Sequence, residues 1–231
     1  VGILGVPFAM RPAAERRGGG GNDPTIVIVT PHVPQIRQEF SEAFDRWHSR
    51  VYGSHVRIDW RVPGGTSEIM KQLEAQYHAA AKAGRIDFTD PKNPKVEAGA
   101  MSTDLMFGGG TFEHGRLKTG IKVKHDGVEY SLPLSVPAGF PQSQMDEWFG
   151  ENKVGSGLLY DPEQYWIGTA LSGFGIVYNK HLFRIAYPDR AAPFPKSFED
   201  LADPALIGMV TLADPRQSGS VTTTFEAILN F

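Results

Sequence analysis

The chain has 231 residues, no cysteine and a formal net charge of −3. The absence of cysteine excludes disulfide scaffolds, thiolate zinc sites, iron–sulfur clusters and cysteine nucleophiles. The near-neutral charge argues against a nucleic-acid groove or a polybasic membrane surface as the main function. The sequence contains no run of about 18 apolar residues, the length that indicates a membrane-spanning helix.

The first ten residues, Val1 to Met10, are apolar. They are too short to cross a bilayer, which takes about 20 residues. Two alternatives stay open: the tail of a signal or anchor segment upstream of Val1, or a first strand or packed arm. Gly18 to Gly21 and the following Asn-Asp-Pro predict a flexible linker. Residues 1–24 are therefore interpreted as an apolar tail and a Gly-rich linker, with folded structure from Thr25.

The next part of the sequence predicts strands alternating with helices. Residues 25–30 form a β-branched run typical of a strand that is buried on both faces. Apolar residues spaced by three and four follow, with Pro34 suited to a first helical turn and Gly53 to its end. Residues 56–60 alternate apolar and charged side chains, which predicts a second strand.

A second helix is predicted to open at Gly64-Gly65-Thr66-Ser67 and to end at Gly84. Residues 85–99 are rich in Pro and Lys and predict an irregular surface excursion. Residues 104–107 predict a third strand, which a glycine-rich loop follows. Strands that alternate with helices imply right-handed crossovers and a parallel sheet.

The last 110 residues or so carry weaker signals, and residues 137–165 have no clear assignment. The helical pattern still continues at Phe231 without a glycine stop or a basic last turn, which predicts that the chain is a fragment. The predicted elements here are a hairpin over 121–133, strands over 173–178 and 207–212, a short helix over 197–201, and a last helix opened by residues 218–220.

Four loops are predicted at the carboxyl ends of strands, where open parallel sheets bind ligands. Three of them combine glycine, which lets backbone N–H groups approach a ligand, with hydroxyl donors at helix N-termini. This pattern predicts a non-covalent cleft for a neutral or anionic ligand, although the same residues also suit turns, helix caps or solvated surface. The predicted ligand-binding residues are His32, Gly65, Thr66, Ser67, Gly109, Gly110, Thr111, Ser172, Ser218, Gly219 and Ser220.

Catalytic patterns are weak. The sequence has no Gly-x-Ser-x-Gly elbow, no Walker loop, no His-Glu-x-x-His motif and no zinc spacing among its seven histidines. We therefore expect no enzymatic activity and no catalytic residue. The alternative is a hydrolase or transferase that uses His32 or His114 with Glu113.

Three segments, residues 165–179, 194–204 and 208–220, resemble extracellular solute-binding proteins of ABC transporters. The resemblance is to the branch that includes ferric-iron, thiamine and phosphonate binders. It implies an α/β, type 2 periplasmic-binding fold with two lobes and parallel-rich sheets flanked by helices. Residues 25–172 would form the first lobe, and residues 173–231 the hinge strand and the incomplete start of the second.

The resemblance also implies a function and partners. The chain would be the substrate-binding component of an ABC importer, with a membrane permease as partner and no nucleic acid. It would capture a ferric ion or an anionic or organic small molecule, with no other cofactor. We expect a periplasmic or extracellular monomer, anchored if a suitable segment lies upstream of Val1. A ligand-sensing ectodomain on the same fold is the alternative.

Individual residues carry parts of this resemblance. His32 lies about where some ferric-binding relatives place a histidine, and Asp214 to Ser220 resembles their anion-binding loop. The match departs after the third strand, where such relatives often supply a carboxylate. Here the sequence has Gly108 to Gly110, and Glu113 is displaced. The adjacent tyrosines of the ferric binders would lie beyond Phe231.

Overall fold

The computed structural model describes residues 23–90, 94–155, 157–187, 194–216 and 218–229. The predicted tail and linker therefore lie outside the described residues, apart from Asp23 and Pro24. The strands are β1 (Thr25–Val29), β2 (Arg57–Arg61), β3 (Ile86–Asp87), β4 (Lys95–Val96), β5 (Leu105–Met106), β6 (Ile121–His125) and β7 (Val128–Leu132). The α-helices are α1 (Pro34–Tyr52), α2 (Thr66–Lys82), α3 (Thr111–Thr119), α4 (Gln142–Phe149), α5 (Lys180–Ala186) and α6 (Gly219–Leu229).

A three-stranded parallel sheet with the order β2–β1–β5 organises the N-terminal half. Thr25 of β1 pairs with Arg57 of β2, and Ile28 pairs with Leu105 of β5. Both connections from one strand to the next contain a helix, as parallel pairing requires. The α/β class with a parallel sheet flanked by helices is thus confirmed.

Helix α1 covers one face of this sheet. It begins at Pro34, and Gly53 ends it with a φ of 69° and an N–H that donates to Ser49 O at 3.0 Å, as predicted. The indole Nε1 of Trp60 donates to Ser41 Oγ at 2.8 Å and ties β2 to the helix. Trp60 and its register partner Ile28 point to the face that α1 covers. Successive side chains of a strand alternate between faces, so Val29 points to the opposite face.

The main core lies on the face of the sheet to which Val29 points. Val29 packs there against residues of α2, α3 and the segment after β7. A second cluster continues it under the hairpin β6–β7. The buried members of the first cluster are Val29, Ile69, Met70, Leu73, Leu117 and Leu134. Those of the second are Ala80, Ile86, Phe88, Val123 and Leu132.

Several local predictions are confirmed or refined. The hairpin predicted over 121–133 forms as β6–β7, and its turn holds Asp126 and Gly127 at φ values of 50° and 79°. The excursion predicted to be irregular contains the short antiparallel pair β3–β4. Helices α3 and α4 were not predicted, since glycines flank both of them and Pro137 and Pro141 precede α4.

The two strands predicted in the C-terminal part are wrong. Residues 173–178 form no regular secondary structure, and 207–212 form turns and coil. Val177 is fully exposed and Ile207 is 83% exposed. A strand needs a neighbour for its backbone hydrogen bonds, and none of the described residues supplies a ladder to either segment. The short helix predicted over 197–201 is a 3-10 turn, Glu199–Ala202.

Candidate functional site

Three loops that were predicted to bind a ligand meet in the structure. They are the N-terminal ends of α2, α3 and α6; glycine runs precede α2 and α3, and Ser218 precedes α6. Contacts between α3 and α6 and hydrogen bonds between α2 and the loop before α6 hold them together. We call this place the three-loop junction, formed by Thr66 and Ser67, Gly110 and Glu113, and Arg216 and Gly219.

The hydroxyl groups of α2 bind the loop before α6. Ser67 Oγ donates to the carbonyl oxygen of Arg216 at 3.2 Å, and Gly219 N–H donates to Thr66 Oγ1 at 3.3 Å. Gly65 precedes them in an extended conformation and makes no side-chain cap. Both hydroxyls therefore bind protein atoms in this conformation and join parts of the chain that are about 150 residues apart.

The glycine run before α3 wraps a buried carboxylate. Glu113 is 3% exposed, and its Oε2 accepts the backbone N–H of Gly110 at 2.9 Å. Gly109 adopts a φ of 85°, which favours glycine, and its α-carbon faces the Glu113 side chain. The carboxylate thus supplies a negative charge at the positive N-terminal end of α3.

Gly219 brings the start of α6 onto the same carboxylate. A β-carbon at Gly219 would overlap Oε1 of Glu113, so the close approach of the two helices depends on glycine at this position. Ser218 lies one residue earlier, and its Oγ accepts the Val221 N–H at 3.4 Å. Glu113 therefore lies between the N-terminal ends of α3 and α6.

Two histidines, His32 and His114, lie beside the glycine run of residues 108–110. His114 Nε2 donates to the carbonyl oxygen of Gly108 at 3.0 Å, and the ring of His32 lies 4.9 Å from that of Phe107 in an edge-to-face arrangement. A β-carbon at Gly108 would come 2.9 Å from His32 Nε2. Burial lowers the pKa of both histidines, because desolvation disfavours the charged imidazolium.

The predicted site residues fall into two groups. His32, Thr66, Ser67, Gly110 and Gly219 lie at the junction or beside its glycine run, as described above. Of the others, Gly109 belongs to the glycine run but is exposed, and Gly65 and Ser218 precede α2 and α6. Thr111 and Ser220 are exposed at the starts of α3 and α6, and Ser172 is exposed outside any helix or strand.

Glu113 was not among the predicted ligand-binding residues, although it is the buried charge at the centre of the junction. The signal that could have found it is its position three residues after Gly110, at the third position of a helix, where a carboxylate binds the cap N–H. Its burial depends on α6, which lies far along the chain and whose docking leaves no trace near Glu113 in the sequence.

The donor set at the junction suits hydrogen bonding better than metal ligation or acid–base catalysis. Among the described residues, no group of three or more His, Asp or Glu side chains is placed to hold a metal ion. The imidazole of His114 binds Gly108 and the carboxylate of Glu113 binds Gly110. Among the described residues, neither His32 nor His114 is hydrogen-bonded to Glu113.

The C-terminal part of the chain resembles a known family. Residues 151–230 match the family described as bacterial extracellular solute-binding protein, and this stretch includes Arg216 and Gly219 of the junction. No curated protein and no solved structure matches the chain. Within the described residues, no helix has both the length and the apolarity to span a membrane. The family match supports an extracellular, non-enzymatic role in binding a solute for transport.

Proposed function

We propose that the protein is the substrate-binding component of an ABC importer and captures a small solute at the three-loop junction. The observation that carries this proposal is the hydrogen bonding of Ser67 to the loop before α6 and of Thr66 to the first residue of α6. That loop lies inside the stretch that matches solute-binding proteins. The junction thus joins the region proposed as the first lobe, 25–172, to the start of the second, 173–231.

Capture would be non-covalent and would exchange existing hydrogen bonds. Thr66 and Ser67 present hydroxyls at the start of α2, and the glycine run before α3 presents backbone N–H groups. A solute that enters between α2 and α6 would take over the bonds now made to Arg216 O and Gly219 N. Because those bonds join the two proposed lobes, ligand binding and lobe closure would be coupled.

The charge at the junction favours one class of solute. Helix N-termini attract anions, but here the Glu113 carboxylate already lies against the N-terminal ends of α3 and α6. An anionic solute would be repelled by that carboxylate, whereas amine or hydroxyl donors would complement it. Ferric iron prefers several hard oxygen ligands. We therefore propose a neutral or cationic organic solute ahead of ferric iron or a phosphonate.

A thermal-shift screen of the protein expressed from its full reading frame tests this proposal. The ligands are sugars, thiamine, a phosphonate and a ferric salt. A ligand at 100 times its dissociation constant should stabilise the fold by about 2.7 kcal/mol. The paired change Thr66→Val with Ser67→Ala should remove most of that shift, whereas Thr119→Val, an exposed threonine on α3, should preserve it.

The outcomes separate the alternatives. No shift with any ligand at saturation would contradict the binding function, and a shift with ferric salt alone would contradict the proposed solute class.

Uptake of the bound solute into membrane vesicles that carry the permease distinguishes import from a sensory ectodomain. Turnover of the solute that is lost in His114→Ala would favour the enzyme alternative. Size-exclusion chromatography with light scattering tests the proposed monomer.

A further inference from the structure

The C-terminal end of α1 exposes a cluster of aromatic and basic side chains on the far side of the sheet from the main core. Trp47, Val51 and Tyr52 are 44%, 52% and 63% exposed. No residue of α1 is buried, although every residue of this helix is described. Arg46 and Arg50 lie beside these residues on successive turns. We call these five residues the basic–aromatic patch.

The aromatic part of the patch is preorganised. The rings of Trp47 and Tyr52 lie 5.6 Å apart at 80°, and the ring of His48 lies 4.8 Å from that of Tyr52. His48 Nδ1 is itself 2.8 Å from the carbonyl oxygen of Ser54, which fixes the ring against the turn after α1. Ordered, half-exposed Trp and Tyr side chains are the ones that favour the boundary between water and lipid.

The basic part of the patch borders an open surface depression. Arg46, Ser49, Arg50 and His55 line it, and His55 Nδ1 lies 2.5 Å from Asp45 Oδ1. Arg46 has a loose 3.8 Å pair with Glu42 and a side chain that is 60% exposed. Residues 42–57 contain three arginines against Glu42 and Asp45, so this stretch has a net charge of about +1 although the whole chain has a charge of −3.

The position of the patch relative to the start of the chain points to a membrane. The carbonyl oxygen of Pro24 accepts the N–H of Arg57 at 2.9 Å, and α1 ends at Tyr52, five residues before β2. The chain therefore enters the folded body at Pro24, at the same end as the patch. The sequence before that point includes ten residues without a charged side chain, Val1 to Met10.

A second copy of the chain fits the patch less well than a lipid surface. In a symmetric dimer each residue of the patch meets the same patch of the partner. Arg46 and Arg50 would then face the same arginines of the second copy, and the acids beside them, Glu42 and Asp45, already contact Arg46 and His55. An anionic bilayer supplies both an apolar layer for the rings and phosphate groups for the arginines.

We infer that the basic–aromatic patch binds the surface of an anionic phospholipid bilayer and holds this end of the protein against the membrane. Trp47, Val51 and Tyr52 enter the interfacial layer, and Arg46 and Arg50 bind lipid phosphates. This inference concerns a surface apart from the three-loop junction and stands whether or not a solute binds there.

Flotation of the protein with lipid vesicles tests the inference. Vesicles with 30% phosphatidylglycerol in phosphatidylcholine are compared with phosphatidylcholine alone, and the anionic vesicles should bind more protein. Arg46→Gln with Arg50→Gln should lower the partition coefficient about 30-fold, since each arginine contributes about 1 kcal/mol near an anionic surface. Lys71→Gln with Lys82→Gln removes the same charge from exposed positions on α2 and should change it little.

Quenching of tryptophan fluorescence by brominated lipids adds a readout that reports position. Trp47→Phe should abolish most of the quenching, whereas Trp148→Phe, at a position that is 49% exposed on α4, should preserve it. Equal binding to both vesicle types, binding unaffected by the two arginine changes, or quenching that survives Trp47→Phe would each overturn the inference. A dimer that Trp47→Ser dissolves would also overturn it.

Discussion

Val29 and Val177 have the same side chain and lie at opposite extremes of burial. Val29 is 1% exposed between the parallel sheet and helix α2, whereas Val177 is fully exposed on a segment without regular secondary structure. The difference extends to their neighbourhoods. Residues 25–134 contain the sheet and both core clusters, while Leu171, Ile207 and Leu212 are 72%, 83% and 55% exposed.

The comparison shows that apolar, β-branched sequence becomes core only where its backbone has a partner. Strand β1 has β2 on one side and β5 on the other, and its two faces are covered by helices. Residues 173–178 have no strand neighbour among the described residues, and Tyr178 at their end packs against Phe183 and Phe194. Stability should therefore depend on the first region much more than on the second, and the junction should be the place where the two regions are coupled.

The largest expected effect comes from the core of the first region. Ile69→Ala should lower the free energy of unfolding by about 2–5 kcal/mol, because Ile69 is fully buried and truncation leaves a cavity. The matched change in the second region, Val177→Ala, should stay within about 0.5 kcal/mol. Urea denaturation followed by circular dichroism measures both. A loss at Val177 comparable to that at Ile69 would show that residues 173–178 are packed in solution.

The parallel sheet could be predicted because its signals are local. The β-branched run at 25–30, the helical spacing after Pro34 and the stop at Gly53 each lie within the element that they specify. The topological rule for parallel sheets then places the loops that follow the strands at one edge. For this reason the approach of Ser67 to the segment before α6 agrees with the cluster of loops that the sequence predicts.

The centre of the junction could not be predicted in the same way. Glu113 has the sequence of a surface helix, and its burial results from the docking of Gly219, which is distant in the sequence. The strand predicted over 173–178 is absent for the opposite reason. Their composition predicts a strand, but a strand is a property of two segments, and composition reports on only one.

A change at the junction should have the next largest effect. Gly219→Ala should destabilise the fold by about 1–3 kcal/mol, because the new methyl group overlaps Glu113 Oε1 and overpacks the contact. An alanine near the start of an exposed helix would otherwise be neutral or favourable. Gly173→Ala is the control in the second region, since nothing lies within 4 Å of a β-carbon there.

A double-mutant cycle shows whether the clash is the cause. In the Glu113→Ala background, Gly219→Ala should have a much smaller effect on the free energy of unfolding, with a coupling of about 0.5–3 kcal/mol. Equal effects of Gly219→Ala in both backgrounds would mean that α6 does not rest on this carboxylate in solution. The first region and α6 would then be independent.

The smallest of these effects should be a dependence of stability on pH that comes from the glycine run. Burial lowers the pKa of His114 in the folded chain, while the backbone bond to Gly108 and the nearby Glu113 act in the opposite direction. Above pH 6.5, the ordinary value, the imidazole is neutral in both states and the fold has its full stability. As the pH falls below 6.5 the unfolded chain binds the proton first, so stability decreases until the lowered pKa of the folded state is reached.

His114→Gln keeps an N–H donor near Gly108 O and cannot titrate, so it should reduce the loss of stability between pH 8 and pH 5.5. Urea midpoints at these two pH values measure the loss. If the loss is the same in both proteins, the ring of His114 is solvated and the glycine run belongs, like residues 173–178, to the loosely packed part of the molecule.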